Sequence, residues 1–213
     1  MAETFVATGL AKKESWSANE ASCVTGIPLK QVHRIIDAGL LGDAAESRNG
    51  ARVVLGAGLI GLKLAYQLGT VLTPEGRRRL IRRLLDEPAA EAVYDEPLSV
   101  DLRVMAETVF HRVSLLAEAK RMVETDDNVL GGAPCFKGTR IPVHDIAAML
   151  ANGDSIAALQ AAYPRLTEAQ ISAAPIYTEA YPRRGRRRNV SPSRRPGQRS
   201  SFVIHFDDLP PVS

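Results

Sequence analysis

The sequence places four long polar side chains in one short stretch near its N-terminus: Lys30, Gln31, His33 and Arg34. If the stretch is helical, these side chains lie away from the apolar positions 32, 35 and 36. Arginine can bond guanine in the major groove of DNA, and glutamine can bond adenine. The pattern therefore favours base contacts with duplex DNA over an ordinary solvated helix face, with Arg34 as the leading contact.

Two further cations, Arg48 and Arg52, flank an Asn49-Gly50 pair. Asn-Gly is a strong signal for the two-residue turn of a β-hairpin. Arginines on such a hairpin would contact phosphate groups, which positions a protein on DNA without reading the base sequence. Arg48 and Arg52 therefore complete the candidate DNA-binding set.

Gly56, Gly58 and Gly61 have the G-x-G-x-x-G spacing of dinucleotide-binding proteins, in which glycines let the backbone approach a pyrophosphate. That motif needs a second parallel strand after its helix, but residues 73–86 predict another helix. Glu75, at the offset of a ribose-binding acid, would lie in the first turn of that helix, where an acid favours the helix dipole. The sequence thus favours a closely packed face of small residues over a nucleotide site.

The C-terminal tail, residues 183–213, concentrates positive charge, since residues 183–199 contain eight arginines and no acid. Without these arginines and the two aspartates that follow them, the rest of the chain has 19 basic and 22 acidic residues, although the whole chain carries +3. Its Arg, Ser, Pro and Gly content predicts disorder. The apolar run 202–206 is typical of a segment that orders on a partner. Guanidinium groups pair well with carboxylates, so an acidic protein site is the favoured partner. DNA phosphates are the second alternative, and a solvated tail that binds nothing is the third.

Several classes of protein are disfavoured by composition. The two cysteines, Cys23 and Cys135, are far apart and the histidines are isolated, so we expect no metal site, no redox pair and no cofactor. No nucleophile and base occur in a motif, so we expect no enzyme. The apolar stretch Val53–Leu72 contains Lys63, which favours a buried helix over a membrane span. With no signal peptide visible, the expected location is the cytoplasm.

Local signals predict a mainly α-helical chain. Ser17 and Glu20 form a capping box for a helix to about residue 24, Pro28 suits the first turn of the next helix, and Gly39 ends it. These signals predict a winged helix-turn-helix over residues 1–72. It consists of two helices joined by a tight turn and a hairpin after them, with residues 42–50 as the polar loop of the hairpin.

The middle region, residues 73–122, predicts helices. One starts at Thr73-Pro74, and another runs from about 101 to 122. The second has an apolar stripe formed by Leu102, Met105, Val109, Val113 and Leu116. The stripe either packs inside the chain, which is favoured, or pairs with a second copy in a homodimer.

Residues 123–182 predict a small three-helix domain after a turn-rich start. The helices are expected at about 143–152, 155–162 and 167–180, the last opening with a Thr167–Gln170 capping box and interrupted by Pro175. Arg140, within a Gly-Thr-Arg-Ile-Pro turn, is expected to anchor its loop by bonds to backbone or carboxylate groups.

Two segments resemble known families. Residues 16–41, WSANEASCVTGIPLKQVHRIIDAGLL, resemble the MerR-type winged helix-turn-helix. Residues 131–143, GGAPCFKGTRIPV, followed by Tyr163-Pro164-x-Leu166-Thr167, resemble a family of small bacterial domains of unknown function. Many of its members are antitoxins, especially VapB-type partners of PIN-domain ribonucleases. The two domains together with the basic tail resemble a VapB-type antitoxin.

This resemblance implies a type II antitoxin that neutralises a PIN-domain (VapC-type) ribonuclease and represses its own operon by binding operator DNA. The implied toxin-binding residues are in the tail: Arg183, Arg184, Arg186, Arg187, Arg188, Arg194, Arg195, Phe202 and Phe206. A free-standing MerR-like regulator is the alternative, and a nucleotide-binding enzyme is the remote one.

Overall fold

The computed structural model describes residues 14–48 and 50–183. Its N-terminal elements are β1 (Ser15–Ser17), α1 (Ala18–Thr25), α2 (Leu29–Asp37), β2 (Ala45–Arg48), β3 (Ala51–Leu55), α3 (Gly58–Gln67) and α4 (Pro74–Asp86). The next are β4 (Ala92–Asp95), β5 (Leu98–Asp101), α5 (Arg103–Arg121), β6 (Val123–Glu124), β7 (Cys135–Phe136), α6 (Val143–Ala151), α7 (Ile156–Ala162) and α8 (Glu168–Ala180). The protein is mainly α-helical, as the sequence predicts.

The first two helices begin and end at the residues that the sequence indicates. The Ser17 hydroxyl accepts from the Glu20 amide at 3.3 Å, and the Glu20 carboxylate accepts from the Ser17 amide at 2.9 Å. Gly26 ends α1 with a φ of 69°, which a glycine adopts at little cost. Gly39 follows α2 with a φ of 63°, and buried Leu40 folds back so that its amide donates to Ile35.

A three-stranded antiparallel sheet follows, with the order β1-β3-β2. Arg48 lies opposite Ala51, so the predicted turn joins β2 to β3. Residues 42–50 are not all loop as predicted, because residues 45–48 form the edge strand β2. Strand β1 also pairs with β3, with Trp16 opposite Val54, and this brings the segment before α1 onto the sheet.

The sequence predicts helices throughout the middle region, but the structure also contains a β-hairpin there. Strands β4 and β5 form an antiparallel hairpin in which Val93 lies opposite Val100. Each strand has four residues, too few to give a clear alternating pattern in the sequence. The hairpin is held to α4 through Asp95, which accepts from Arg79 at 2.9 Å.

Two hydrophobic clusters make up the core. The first joins α1 to α5 and contains Trp16, Val24, Leu62 and Leu84. The predicted α5 stripe packs into this cluster: Leu102, Met105, Val109 and Leu116 are buried, and Val113 is partly buried against them. The stripe is therefore not available to pair with a second copy.

The second cluster lies among α6, α7, α8 and the small β6–β7 sheet. It contains Phe136, Val143, Ile146, Leu159 and Ile171. The three helices and the Thr167–Gln170 capping box lie where the sequence predicts them, and α8 continues through Pro175.

A polar network joins the N-terminal helices to α8. The buried Glu20 carboxylate accepts from the Tyr181 hydroxyl and lies 3.3 Å from the Lys120 amine. Close by, Arg112 donates to the Cys23 carbonyl at 2.7 Å and forms an ion pair with Glu179 at 2.7 Å. Helices α1, α5 and α8 are thus held together by charge-assisted bonds as well as by apolar contact.

Helix α3 contains Lys63, the residue for which the sequence favours a buried helix over a membrane span. The Lys63 amine donates to the Thr25 carbonyl at the end of α1, at 3.2 Å. Within residues 14–48 and 50–183, no helix is both long and apolar enough to cross a membrane.

Candidate nucleic-acid interface

Helix α2 presents the predicted polar face on the surface of the protein. Lys30 and Arg34, one helical turn apart, are exposed, whereas Gln31 and His33 are half-buried. The opposite side is anchored by Val32 and Ile35, which are buried in the first cluster. The division of the helix into an anchored apolar side and an accessible cationic side therefore agrees with the sequence pattern.

The two hairpin arginines are both engaged in ion pairs. Arg52 donates to the Asp37 carboxylate through two nitrogens, at 2.7 and 3.0 Å, and these hydrogen bonds raise the pKa of Arg52. Arg48 pairs with Glu46 on the same strand. Because Asp37 is the last residue of α2, the bidentate pair fixes the hairpin beside the C-terminal end of that helix. The Arg48 pair is exposed and weak, so its guanidinium can exchange the carboxylate for a phosphate. Arg52 uses two of its five N–H groups on Asp37 and keeps the others for a phosphate.

Two glycines of the dinucleotide-like motif, Gly58 and Gly61, serve packing. A Cβ atom on Gly58 would lie 2.8 Å from the Ala44 carbonyl oxygen, and one on Gly61 would lie 3.2 Å from the Ile81 side chain. Strand β3 has only antiparallel neighbours, and the next element after α3 is helix α4. A Cβ atom at either position would press on the protein's own backbone or side chains, so close packing accounts for both glycines.

Helix α4 contributes cations that the sequence analysis did not assign. Arg78 donates to the Ala38 carbonyl at the C-terminal end of α2, at 2.9 Å. Arg77 donates to the Ala65 carbonyl at 3.0 Å, and Arg79 and Arg83 are paired with Asp95. The only local signal was the Arg-rich run itself, which does not say which side chains meet α2.

The C-terminal candidates lie mostly outside the described residues. Arg183 is the only predicted toxin-binding residue that the structure describes, and it is paired with Asp145 in the first turn of α6. The expectation that Arg140 anchors its loop is wrong: its side chain is exposed and has no bonding partner in the described part of the chain. The Thr139 hydroxyl holds the turn instead, since it donates to Phe136 and accepts from Ile141.

The two cysteines are buried free thiols. Burial is the main cause that raises the pKa of Cys23, to about 11, and the pKa of Cys135 is raised for the same reason. Across residues 14–48 and 50–183, no three His, Cys, Asp or Glu side chains are grouped as metal ligands would be.

Comparisons with known proteins define the family. Residues 123–178 match the family described as "Protein of unknown function (DUF433)", which agrees with the resemblance of this region to small domains of unknown function. The chain is 34% identical over 189 residues to "Uncharacterized protein y4eO" of Sinorhizobium fredii (strain NBRC 101917 / NGR234). The alignment covers 82% of this chain and 85% of that protein. The chain therefore belongs to the same family as y4eO, and the likeness extends well beyond the 123–178 segment. No solved structure gave a significant match.

Proposed function

We propose that this protein binds DNA as the repressor of its own operon and is the antitoxin of a type II toxin–antitoxin pair with a PIN-domain ribonuclease. Residues 14–72 act as a winged helix-turn-helix, α2 as its recognition helix and the β2–β3 hairpin as its wing. The observation that carries the proposal is the exposed cationic side of α2, with the hairpin fixed beside it through Arg52 and Asp37.

The geometry suits a major groove. Helix α2 has nine residues and is anchored on its apolar side, so a rigid element presents Lys30 and Arg34 to the outside. An α-helix of this size fits the major groove, where arginine can bond guanine through two atoms. The hairpin arginines then contact phosphates on the flanking backbone.

The antitoxin part rests on the C-terminal region. Residues 131–143 have the sequence resemblance to VapB-type antitoxins, and the arginines after residue 183 suit an acidic ribonuclease site. Arg183 itself is paired with Asp145, and the proposed toxin-binding segment is residues 183–213. Dimerisation of the repressor requires a surface other than the α5 stripe, which is buried within the chain.

Replacing the leading base contact is expected to weaken operator binding selectively. Arg34→Ala should cost about 1–3 kcal/mol of binding free energy, about 5- to 150-fold in Kd, because a bidentate arginine–guanine contact is lost. Fluorescence anisotropy with a duplex from upstream of the gene measures the change, and a scrambled duplex of equal length measures nonspecific binding. Arg121→Ala, which removes an exposed charge from the end of α5, is the matched control. Equal losses on both duplexes would contradict base readout by Arg34.

A growth experiment tests neutralisation. The product of the neighbouring gene is expressed alone, with the full chain, and with a chain that ends after Arg183, which retains the Asp145 pair. We expect growth to be restored only by the full chain, because the tail arginines bind the acidic site of the ribonuclease and block it. Rescue by both forms would place the contact in the folded body, and a harmless neighbour would favour a free-standing regulator.

A further inference from the structure

Helix α4 has five arginines, and they point to two different environments. Arg77 is bonded to the Ala65 carbonyl, and Arg79 and Arg83 are tied to the β4–β5 hairpin through Asp95. Arg78 and Arg82 are four residues apart, so they share another face of the helix. Both are exposed, and the Arg78 side chain reaches the C-terminal end of α2.

The contact of Arg78 places this face next to the recognition helix. Its guanidinium donates at 2.9 Å to the carbonyl of Ala38, immediately after the last residue of α2. Arg34 lies one helical turn before Ala38 on the exposed side of α2. A guanidinium has five N–H groups, and this bond uses one of them. Arg78 therefore caps α2 and still has donors free for a ligand.

Arg82 lies one helical turn further along α4 than Arg78. It forms no hydrogen bond or ion pair with any residue in 14–48 or 50–183. Lys30 and Arg34 lie one turn apart on α2, and Arg78 and Arg82 lie one turn apart on α4, roughly 5–6 Å along each helix axis. Helix α4 is itself rigidly seated, because Leu80, Ile81 and Leu84 are buried in the first cluster.

The ligand that matches two pairs of exposed cations on neighbouring elements is an extended polyanion. The Arg78 side chain reaches the C-terminal end of α2, so it flanks the base-reading face rather than forms part of it. Arginines at such positions bond phosphate oxygens, which adds affinity without sequence preference. The acidic Glu75 and Asp86 lie at either end of this α4 face and limit its cationic part to Arg78 and Arg82.

We propose that Arg78 and Arg82 bind backbone phosphates of the DNA strand that flanks the base pairs read by α2. The proposal rests on the proposed DNA-binding function and extends its contact surface from the helix-turn-helix and hairpin onto α4. It assigns a binding role to two arginines outside the winged helix-turn-helix itself.

The salt dependence of DNA binding tests the proposal. The logarithm of the association constant falls with the logarithm of salt concentration, and each phosphate contact adds about 0.9 to the steepness of that fall. The fall should therefore be less steep by about 1.8 in the Arg78→Ala/Arg82→Ala variant. The loss of affinity at a given salt concentration should be the same on the upstream and the scrambled duplex. Arg82→Ala alone should lower the slope by about 0.9, and it leaves the bond between Arg78 and Ala38 in place.

Arg79→Ala is the matched control, because it removes the same charge from the same helix on the face that meets Asp95. A slope change in Arg82→Ala no larger than in Arg79→Ala, each of which removes one charge, would overturn the proposal. If Arg34→Ala also leaves operator binding unchanged, the DNA-binding function itself fails. If Arg34→Ala weakens binding while Arg82→Ala leaves the slope unchanged, only the α4 assignment fails. Thermal melting by circular dichroism verifies that each variant is folded.

Discussion

Phe136→Ala is expected to lower the free energy of unfolding by about 3–5 kcal/mol, because truncating a buried aromatic ring removes its burial and leaves a cavity. Phe136 is the last residue of β7 and is fully buried in the second cluster. For a folded body of this size, such a loss lowers Tm by roughly 10 °C.

The experiment also asks whether the two clusters unfold together. Trp16 is the single tryptophan of the chain and is buried in the first cluster, so its fluorescence reports on that cluster alone. Since α1, α5 and α8 are joined by the Glu20 and Arg112 bonds, we expect the Trp16 signal to melt at the lowered temperature as well.

Phe136→Leu is the control for this substitution, because it keeps an apolar side chain and should cost much less. Trp16 fluorescence that melts at the wild-type temperature in Phe136→Ala would show that the clusters unfold independently. The charge-assisted bonds among the three helices would then contribute little to cooperativity.

Glu20→Gln is expected to lower the free energy of unfolding by about 2–3 kcal/mol near neutral pH, since hydrogen bonds to a charged group are worth roughly 1.5–3 kcal/mol. The carboxylate accepts from Ser17 and from the Tyr181 hydroxyl, and it pairs with Lys120. The amide keeps the shape of the side chain but loses the charge and one acceptor. Glu118→Gln, on the exposed side of α5, should have almost no effect.

The contribution of Glu20 should also depend on pH. Burial raises the pKa of Glu20, but the bonds from Tyr181 and Ser17 and the charge of Lys120 lower it by more, so it lies below the ordinary value of 4.5. The folded state therefore favours the charged form. The stabilisation is fully present above pH 4.5 and is lost as the pH falls through the folded pKa. Urea unfolding of the wild type and Glu20→Gln at pH 7, 5 and 3 should give a difference that shrinks with acidity. A difference that stays constant down to pH 3 would contradict a charged, bonded Glu20.

Much of the helical structure follows from the sequence because its signals are local. A capping box needs only residues three apart, as at Ser17 and Thr167, and a glycine with positive φ ends a helix wherever it occurs. These signals predicted α1, α2, α4 and the three helices after residue 143. The periodic stripe of α5 likewise predicted a buried helix face.

The contacts that join these elements follow only from the tertiary structure. Glu20 meets Tyr181 across 161 positions of sequence, and Arg78 meets Ala38 across 40. Nothing in the residues next to them indicates these partners. The short β4–β5 hairpin and the pairing of β1 with β3 were missed for a related reason, since strands of three or four residues depend on the neighbour they bond rather than on their own pattern.

The sequence by itself determined where the helices lie, the cationic side of α2 and the charge of the tail, because each depends on the order of neighbouring residues. The tertiary structure decided that the α5 stripe is used internally, that Gly58 and Gly61 serve packing, and that α4 adjoins the end of α2. Those outcomes depend on which faces meet when the chain folds. The contacts that form are those that bury apolar surface and satisfy backbone carbonyls across distant parts of the chain, so neighbouring residues alone do not determine them.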